Sequence, residues 1–264
     1  MASFLDLPER PPKPRAAGLT HILDKGLTVN EVAARLATSG AFIDIWKFGW
    51  GTAYLDPGVE AKLALLTSGE VRACVGGTLL EVAWSQDRVD EFLAWATAAG
   101  FPCVEVSRGA VPMPVDEKRD LIRLAGGRFT VMSEVGAKDP AVLAAPAEWA
   151  EEVRGDLASG AAVVLTEGRE SGTVGMFRPD GTVRSELVEA LVEVVGLRSL
   201  MFEAPRKDQQ AWFINRFGPD VNLANVAPED TLGIEALRLG LRADTIGPVA
   251  RLLGDGRLRD IEPA

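Results

Sequence analysis

The sequence predicts a single-domain α/β fold, a (β/α)8 barrel of the TIM type. Three observations carry this. Short apolar runs alternate with amphipathic stretches eight times between Leu19 and Arg238, the rhythm of strand–helix–strand units that pair in parallel through right-handed crossovers. Neither G-x-G-x-x-G nor G-x-x-x-x-G-K-[ST] follows any run, which removes the usual marks of an open, doubly wound nucleotide-binding sheet. Every run ends in polar residues or glycine, and a barrel collects its functional groups at that end of its strands. A chain of 264 residues suits one such domain.

Residues 1–18 hold Pro8, Pro11, Pro12 and Pro14 and read as an irregular lead-in. The barrel is expected over 19–247 and a tail of short helix and loop over 248–264. The first strand covers 19–23 and ends in Asp24-Lys25-Gly26. Thr28 with Glu31 makes a capping box for a helix to about 38. A second strand over 42–46 ends in Lys47-Phe48-Gly49, and Pro57 opens a helix over 57–66. The third strand, 71–75, ends in Gly76-Gly77-Thr78. A helix over 89–98 follows, stopped by Gly100. The fourth strand, 103–106, carries Glu105 and ends in Ser107-Arg108-Gly109; a helix covers 115–125. The fifth, 129–133, ends in Glu134-Val135-Gly136, with Lys138 just beyond and a helix over 147–158. The sixth, 161–166, runs into Glu167-Gly168-Arg169-Glu170-Ser171-Gly172, then a turn over 177–181 and a helix over 185–194. The seventh, 200–202, ends in Glu203-Ala204-Pro205-Arg206-Lys207 before a helix over 209–217. The eighth, 221–226, carries Asn222 and Asn225 and precedes a helix over 232–238.

Composition narrows the function. A net charge of -10 and a pI near 4.8 argue against nucleic acid or an anionic membrane as partner, since both demand a positive field. No apolar run reaches a membrane-spanning length, and the N-terminus is acidic and proline-rich, so a cytoplasmic protein is expected. Cys74 and Cys103 lie in separate apolar runs and read as reduced thiols, although neighbouring strands leave a disulfide open. One histidine, His21, sits in an apolar run. That removes His-rich metal sites and leaves general acid–base work to Lys, Asp and Glu.

The strand ends present Asp24, Lys25, Lys47, Gly76, Gly77, Glu81, Glu105, Ser107, Glu134, Lys138, Glu167, Arg169, Glu170, Glu203, Arg206, Asn222 and Asn225. Carboxylates embedded in apolar strands must pair with cations, bind a metal or take up a proton. A self-neutralising ring of ion pairs would meet that demand, and so would a site for an anionic ligand or a metal. Gly76 and Gly77 either permit a turn or let backbone N–H groups approach an anion. Trp46 and Trp50 flank Lys47, either as packing or as pocket wall.

Seven motifs in fixed order complete the reading: LDKG from Leu23, KFGWGT from Lys47, GGTLLE from Gly76, SEVG from Ser133, EGRESG from Glu167, FEAP from Phe202 with Gln209-Gln210, and NLANV from Asn222. Together they resemble the phosphosulfolactate synthase family, which also contains plant heat-stress-associated relatives. The resemblance implies an α/β barrel that adds sulfite to phosphoenolpyruvate with Mg²⁺, giving (2R)-phospho-3-sulfolactate for sulfolactate or coenzyme M biosynthesis. It also implies a homo-oligomer, with a trimer as the suggested size. For that reaction Glu105, Glu134 and Glu167 are the metal candidates, of which one or two suffice. Lys138 is the expected proton donor, with Lys47 as second choice, and Arg169 is expected to hold an oxyanion. Lys25, Gly76, Gly77, Ser107, Arg206 and Asn225 are the remaining substrate-binding candidates, the last two near the usual phosphate position of a barrel. Two positions depart from the family's habit: Arg108 follows the strand-four serine where an acid or Asn is common, and Ala137 replaces one of two lysines, leaving Lys138. The alternatives are a non-catalytic, stress-associated barrel acting through protein partners, and another phosphoenolpyruvate or phosphosugar lyase on the same fold.

Overall fold

A computed structural model describes residues 4–136 and 145–252. Eight parallel strands close into a barrel in sequence order. They are β1 (Thr20–Asp24), β2 (Ile45–Phe48), β3 (Arg72–Val75), β4 (Cys103–Val106), β5 (Thr130–Val135), β6 (Val163–Thr166), β7 (Leu200–Glu203) and β8 (Leu223–Val226). Around them lie α1 (Val29–Ser39), α2 (Thr52–Leu55), α3 (Val59–Ser68), α4 (Gly77–Ser85), α5 (Val89–Ala99), α6 (Val115–Gly126), α7 (Pro146–Ala158), α8 (Ser185–Val195), α9 (Lys207–Phe217), α10 (Thr231–Arg238) and α11 (Ile246–Arg251). Local chemistry sets several boundaries. Thr28 and Glu31 form the expected capping box of α1, and Gly100 ends α5 in the left-handed conformation that glycine adopts without strain.

The differences from the expected elements have tertiary causes. Strand β2 begins at Ile45 rather than 42 because Gly40–Phe42 forms a 3-10 turn and Asp44 is drawn to β1. The Asp44 backbone N–H donates to Thr20 O, and its carboxylate accepts from the Thr20 N–H at 2.9 Å. Lys47 is therefore inside the strand. Strand β5 runs on to Val135, which brings Glu134 into the sheet as well. Strand β8 starts only at Leu223, because Asn222 turns its amide to the Leu19 N–H and the Leu200 carbonyl. That places Asn222 at the N-terminal end of the barrel, away from the strand ends where the sequence put it. Two helices were not anticipated, α2 and α4. Helix α4 starts at Gly77, so the Gly76-Gly77 pair is a helix entry rather than an extended loop.

Inside the barrel an apolar layer fills the lower half: Leu19, Ile45, Cys74, Cys103, Met132, Val163, Leu165, Met201 and Ala224 are all buried. Cys74 and Cys103 face one another in register and are free thiols. A larger apolar shell packs between strands and helices. The lead-in crosses the N-terminal face and is tied down by three cations. Arg10 donates to Glu235 and the Gly18 carbonyl, Lys13 to the Gly40 carbonyl, and Arg15 to Asp44 and the Ala41 carbonyl. Among the described residues no helix is long and apolar enough to cross a membrane.

Candidate active site

The site grows from the alternation of side chains along a strand, which sends every second residue into the barrel. Lys47 on β2, Glu105 on β4, Glu134 on β5 and Glu203 on β7 are all buried there. Lys47 Nζ lies 2.9 Å from Glu105 Oε2 and 3.4 Å from Glu203 Oε1. The second oxygens of both acids accept backbone N–H groups, Glu105 Oε1 from Gly77 and Glu203 Oε2 from Gly168, each at 2.9 Å. Burial alone would lower the Lys47 pKa, but the attraction of Glu105, Glu203 and Glu134 outweighs it and pushes it above the ordinary lysine value. Lys47 is a fixed positive charge. Gly77 is required at its place: a Cβ there would stand 2.3 Å from Ser107 Oγ and 3.1 Å from Glu105 Oε1.

Above this floor opens a cavity of about 510 Å³, lined by Lys47, Glu105, Glu134, Glu167, Arg169, Glu170, Glu203, Asn225, Trp50 and the two glycines Gly76 and Gly77. Glu167 Oε1 accepts the Arg169 N–H at 2.7 Å, which folds the start of the EGRESG loop back on itself. Arg169, Asn225 and Trp50 all hold positive φ, near +52°, +54° and +52°, a region disfavoured for residues with a Cβ. Asn225 is braced from β1: its N–H donates to His21 Nδ1 at 3.4 Å. Burial, then the field of Lys47, pushes His21 well below the usual histidine range. The histidine is a buried neutral brace, in line with its apolar sequence context.

The remaining candidates are placed less centrally. Lys25 pairs with Glu170 at 2.7 Å, half-exposed at the lip of the cavity, and faces an adjoining recess of about 330 Å³ that Asn225 also lines. Ser107 is buried and donates to Glu81 Oε1 at 2.5 Å, while Glu81 Oε2 accepts the N–H groups of Ala110 and Val111. Those two residues fasten the β4 loop to α4. Arg206 turns to Asp208, outside the cavity lining. Asp24 holds the N–H groups of Gly26 and Leu27 with one oxygen, and Trp46 Nε1 and Lys62 Nζ with the other. Asp24 and Trp46 are thereby structural. Lys138 and Ala137 lie outside the described residues.

Two buried lysines behind the wall escaped the sequence reading. Lys118 on α6 donates to the Glu134 carbonyl at 2.7 Å, to Asp156 Oδ2 at 2.6 Å and to Glu152 Oε1 at 2.9 Å. Ser133 donates to the same Asp156 oxygen, and Arg108 grips Glu152 with two bonds of 2.9 and 2.7 Å. So the unusual Arg108 faces α7, and Lys118 fixes the peptide that carries Glu134. The second is Lys62 on α3, held by Asp24 and Asp56. Their signal was periodicity: Lys62 falls in the buried stripe with Leu63 and Leu66, and Lys118 in that with Leu121, Ile122 and Ala125.

A divalent cation is the group the strand-end acids suggest. Among the described residues no three His, Cys, Asp or Glu side chains stand together as a cation site. Mg²⁺ accepts one or two carboxylates and keeps waters otherwise, and Glu134 and Glu167 supply hard oxygens on neighbouring strand ends along one wall of the cavity. Glu105 is already compensated by Lys47. The donor set therefore fits a largely hydrated Mg²⁺ on two acids better than a cage of three.

Comparison with known proteins bears on the chemistry. Residues 8–244 match the family described as (2R)-phospho-3-sulfolactate synthase. The phosphosulfolactate synthase of Bacillus subtilis is 39% identical over 244 residues, covering 91% of this chain and 97% of that one. Its namesake from Methanothermobacter thermautotrophicus is 40% identical over 248 residues, covering 92% and 96%. Protein HEAT-STRESS-ASSOCIATED 32 of Arabidopsis thaliana is 24% identical over 265 residues, covering 89% and 91%.

Proposed function

The chain belongs to the (2R)-phospho-3-sulfolactate synthase family and is a lyase of that kind; from this premise we propose that it adds sulfite to phosphoenolpyruvate, with Mg²⁺ as cofactor, to give (2R)-phospho-3-sulfolactate. The observation that carries the reading is the charge of the cavity. Its described lining holds five carboxylates, Glu105, Glu134, Glu167, Glu170 and Glu203, against Lys47 and Arg169. Both substrates are anions, and like charges in a partly desolvated site repel strongly. A divalent cation on Glu134 and Glu167 would cancel most of that negative excess and present a local positive charge to the substrate.

When bound, Mg²⁺ supplies Lewis-acid stabilisation of charge on the substrate carboxylate. The residues of the chain do the rest. Sulfite needs no base: its sulfur lone pair forms the bond to C3, the π pair of C2–C3 moves toward C2 and the carboxylate, and C2 takes a proton. Lys138 is our donor for that proton, because Lys47 is held charged by its carboxylates and gives up a proton reluctantly. Arg169 offers a two-pronged guanidinium to an oxyanion at the cavity wall. Asn225, at the end of β8, lines the side where barrels usually seat phosphate; Arg206 would have to leave Asp208 to join it. Lys25, Gly76 and Gly77 complete the reading as wall, with the Gly77 N–H already committed to Glu105. A cytoplasmic homo-oligomer serving sulfolactate or coenzyme M type biosynthesis is the setting this reaction fits.

The test is direct. Purified protein, phosphoenolpyruvate, sulfite and Mg²⁺ should yield phosphosulfolactate by ³¹P NMR and mass spectrometry, and EDTA should stop it. Phosphoenolpyruvate binding without product would point to another nucleophile. Absence of both product and binding would refute the proposal and favour a barrel acting through protein partners.

A further inference from the structure

Trp50 is an aromatic side chain that the apolar core of the fold does not take up. It lies between Gly49 and Gly51 in the loop after β2, and the turn around it is firmly built. The Gly49 N–H donates to Asp24 O at 2.8 Å, and Thr52 Oγ1 and the Thr52 N–H close back on Gly49 O at 2.8 and 3.0 Å. The neighbouring Gly76 is packed so closely that a Cβ there would come within 2.8 Å of Phe48 O and 3.2 Å of the Trp50 N. This turn forces Trp50 to φ +52°, where glycine is the comfortable residue and tryptophan is not. The glycines on either side show that small residues are available to this loop, yet the strained position carries an indole.

That indole is not absorbed by packing. It is 43% exposed and stands outside the apolar clusters. The other five tryptophans are each buried or tied to a partner. Trp46 and Trp149 are buried, Trp84 donates to Glu117, Trp95 meets Phe92, Phe101 and Tyr54, and Trp212 meets Phe213. What Trp50 does face is the cavity, whose other side chains are mostly charged. Among the described residues, three of the five non-glycine residues with positive φ line this one cavity: Trp50, Arg169 and Asn225. Backbone strain gathered at a single cavity from two separate loops and the end of β8 marks side chains held for a ligand.

We propose that Trp50 is the specificity-determining wall that covers one face of the unsaturated methylene end of the substrate, leaving the opposite face open to sulfite. This rests on phosphoenolpyruvate being the substrate: its CH₂ terminus is the one apolar, planar edge of an otherwise charged molecule, and the indole is the matching large aromatic surface of the cavity. The wall accepts a methylene or methyl against the indole and disfavours a hydroxymethyl group, whose hydroxyl would lose water without gaining a partner when turned to that face.

The experiment compares wild type, Trp50→Phe and Trp50→Ala. Removing the wall should raise KM for phosphoenolpyruvate about ten-fold, with kcat changed less, and Trp50→Phe should restore most of it. Wild type should bind phospholactate more tightly than 2-phosphoglycerate, and Trp50→Ala should lose that preference. Tryptophan emission should change on adding phosphoenolpyruvate to wild type but not to Trp50→Phe. Wild-type KM and preference in Trp50→Ala, or an effect confined to its oligomeric state, would overturn the role of Trp50 while leaving the reaction intact. Absence of phosphoenolpyruvate binding and turnover in wild type would instead remove the reaction, and this inference with it.

Discussion

Lys47 Nζ and Glu105 Oε2 meet at 2.9 Å inside the barrel, both side chains almost wholly buried. Because Glu203 shares the same ammonium, one lysine bridges acids from two other strands. Replacing Lys47 by Met would leave buried carboxylates without their cation, which costs about 3–5 kcal/mol. The expected outcome is that much loss of stability in urea titration, together with loss of turnover. Stability within ~1 kcal/mol of wild type would mean the acids repair their pairing by taking up protons.

Arg169 is held at positive φ beside Glu167, so stability and activity should part company there. Arg169→Gly should relieve backbone strain and stabilise the fold by ~1 kcal/mol while lowering turnover sharply. Arg169→Lys should also lose activity, because an ammonium cannot reproduce a two-pronged guanidinium contact. Unchanged kinetics in the lysine variant would make Arg169 structural.

Lys138→Ala is expected to leave the melting curve unaltered and abolish product formation. Single-turnover measurement of product is the check; turnover at the wild-type rate would take Lys138 out of the mechanism.

The Arg108–Glu152–Lys118 chain makes a pH prediction. Burial alone would raise the Glu152 carboxyl, but Arg108 and Lys118 overcome it and hold it at about 2, below its ordinary 4.5. A depressed carboxylate contributes stability that is present above pH 4.5 and is lost as pH falls through about 2. The full effect is on the order of 3 kcal/mol. Arg108→Gln should move that loss to higher pH, seen as an earlier acid transition in thermal melts. An acid limb that superimposes on wild type would show that Lys118 alone sets Glu152.

Gly77→Ala should displace either Ser107 or Glu105, since its Cβ would fall 2.3 Å from Ser107 Oγ. A loss of about 1–3 kcal/mol is expected, with activity falling further than stability explains. Activity in proportion to the folded fraction would show that Glu105 tolerates the shift.

Much of the fold was legible because barrel units are local. The capping box at Thr28, the Gly100 stop and the limits of β4 all depend on residues a few positions apart. What was not legible is set across strands. The start of β2 depends on Asp44 reaching Thr20, and that of β8 on Asn222 reaching Leu19 and Leu200. Helix α4 was hidden by its two leading glycines. The strand-end pattern identified Lys47, Glu105, Glu134, Glu167, Arg169 and Asn225, which the fold gathers around one cavity. It could not distinguish them from Asp24, Ser107 and Arg206, which have the same polarity and position but turn toward Lys62, Glu81 and Asp208. Side-chain direction within a loop is decided by neighbours distant in sequence.

The apolar layer from Leu19 to Ala224 has a kinetic consequence. It seals the barrel beneath Lys47, so the cavity is a blind pocket. For the addition proposed above, two reactants and one product would share its mouth, and the reactant seated deeper would have to arrive first. The proposed reaction would then be an ordered addition, in which the second reactant traps the first and the larger product has to leave before either can return.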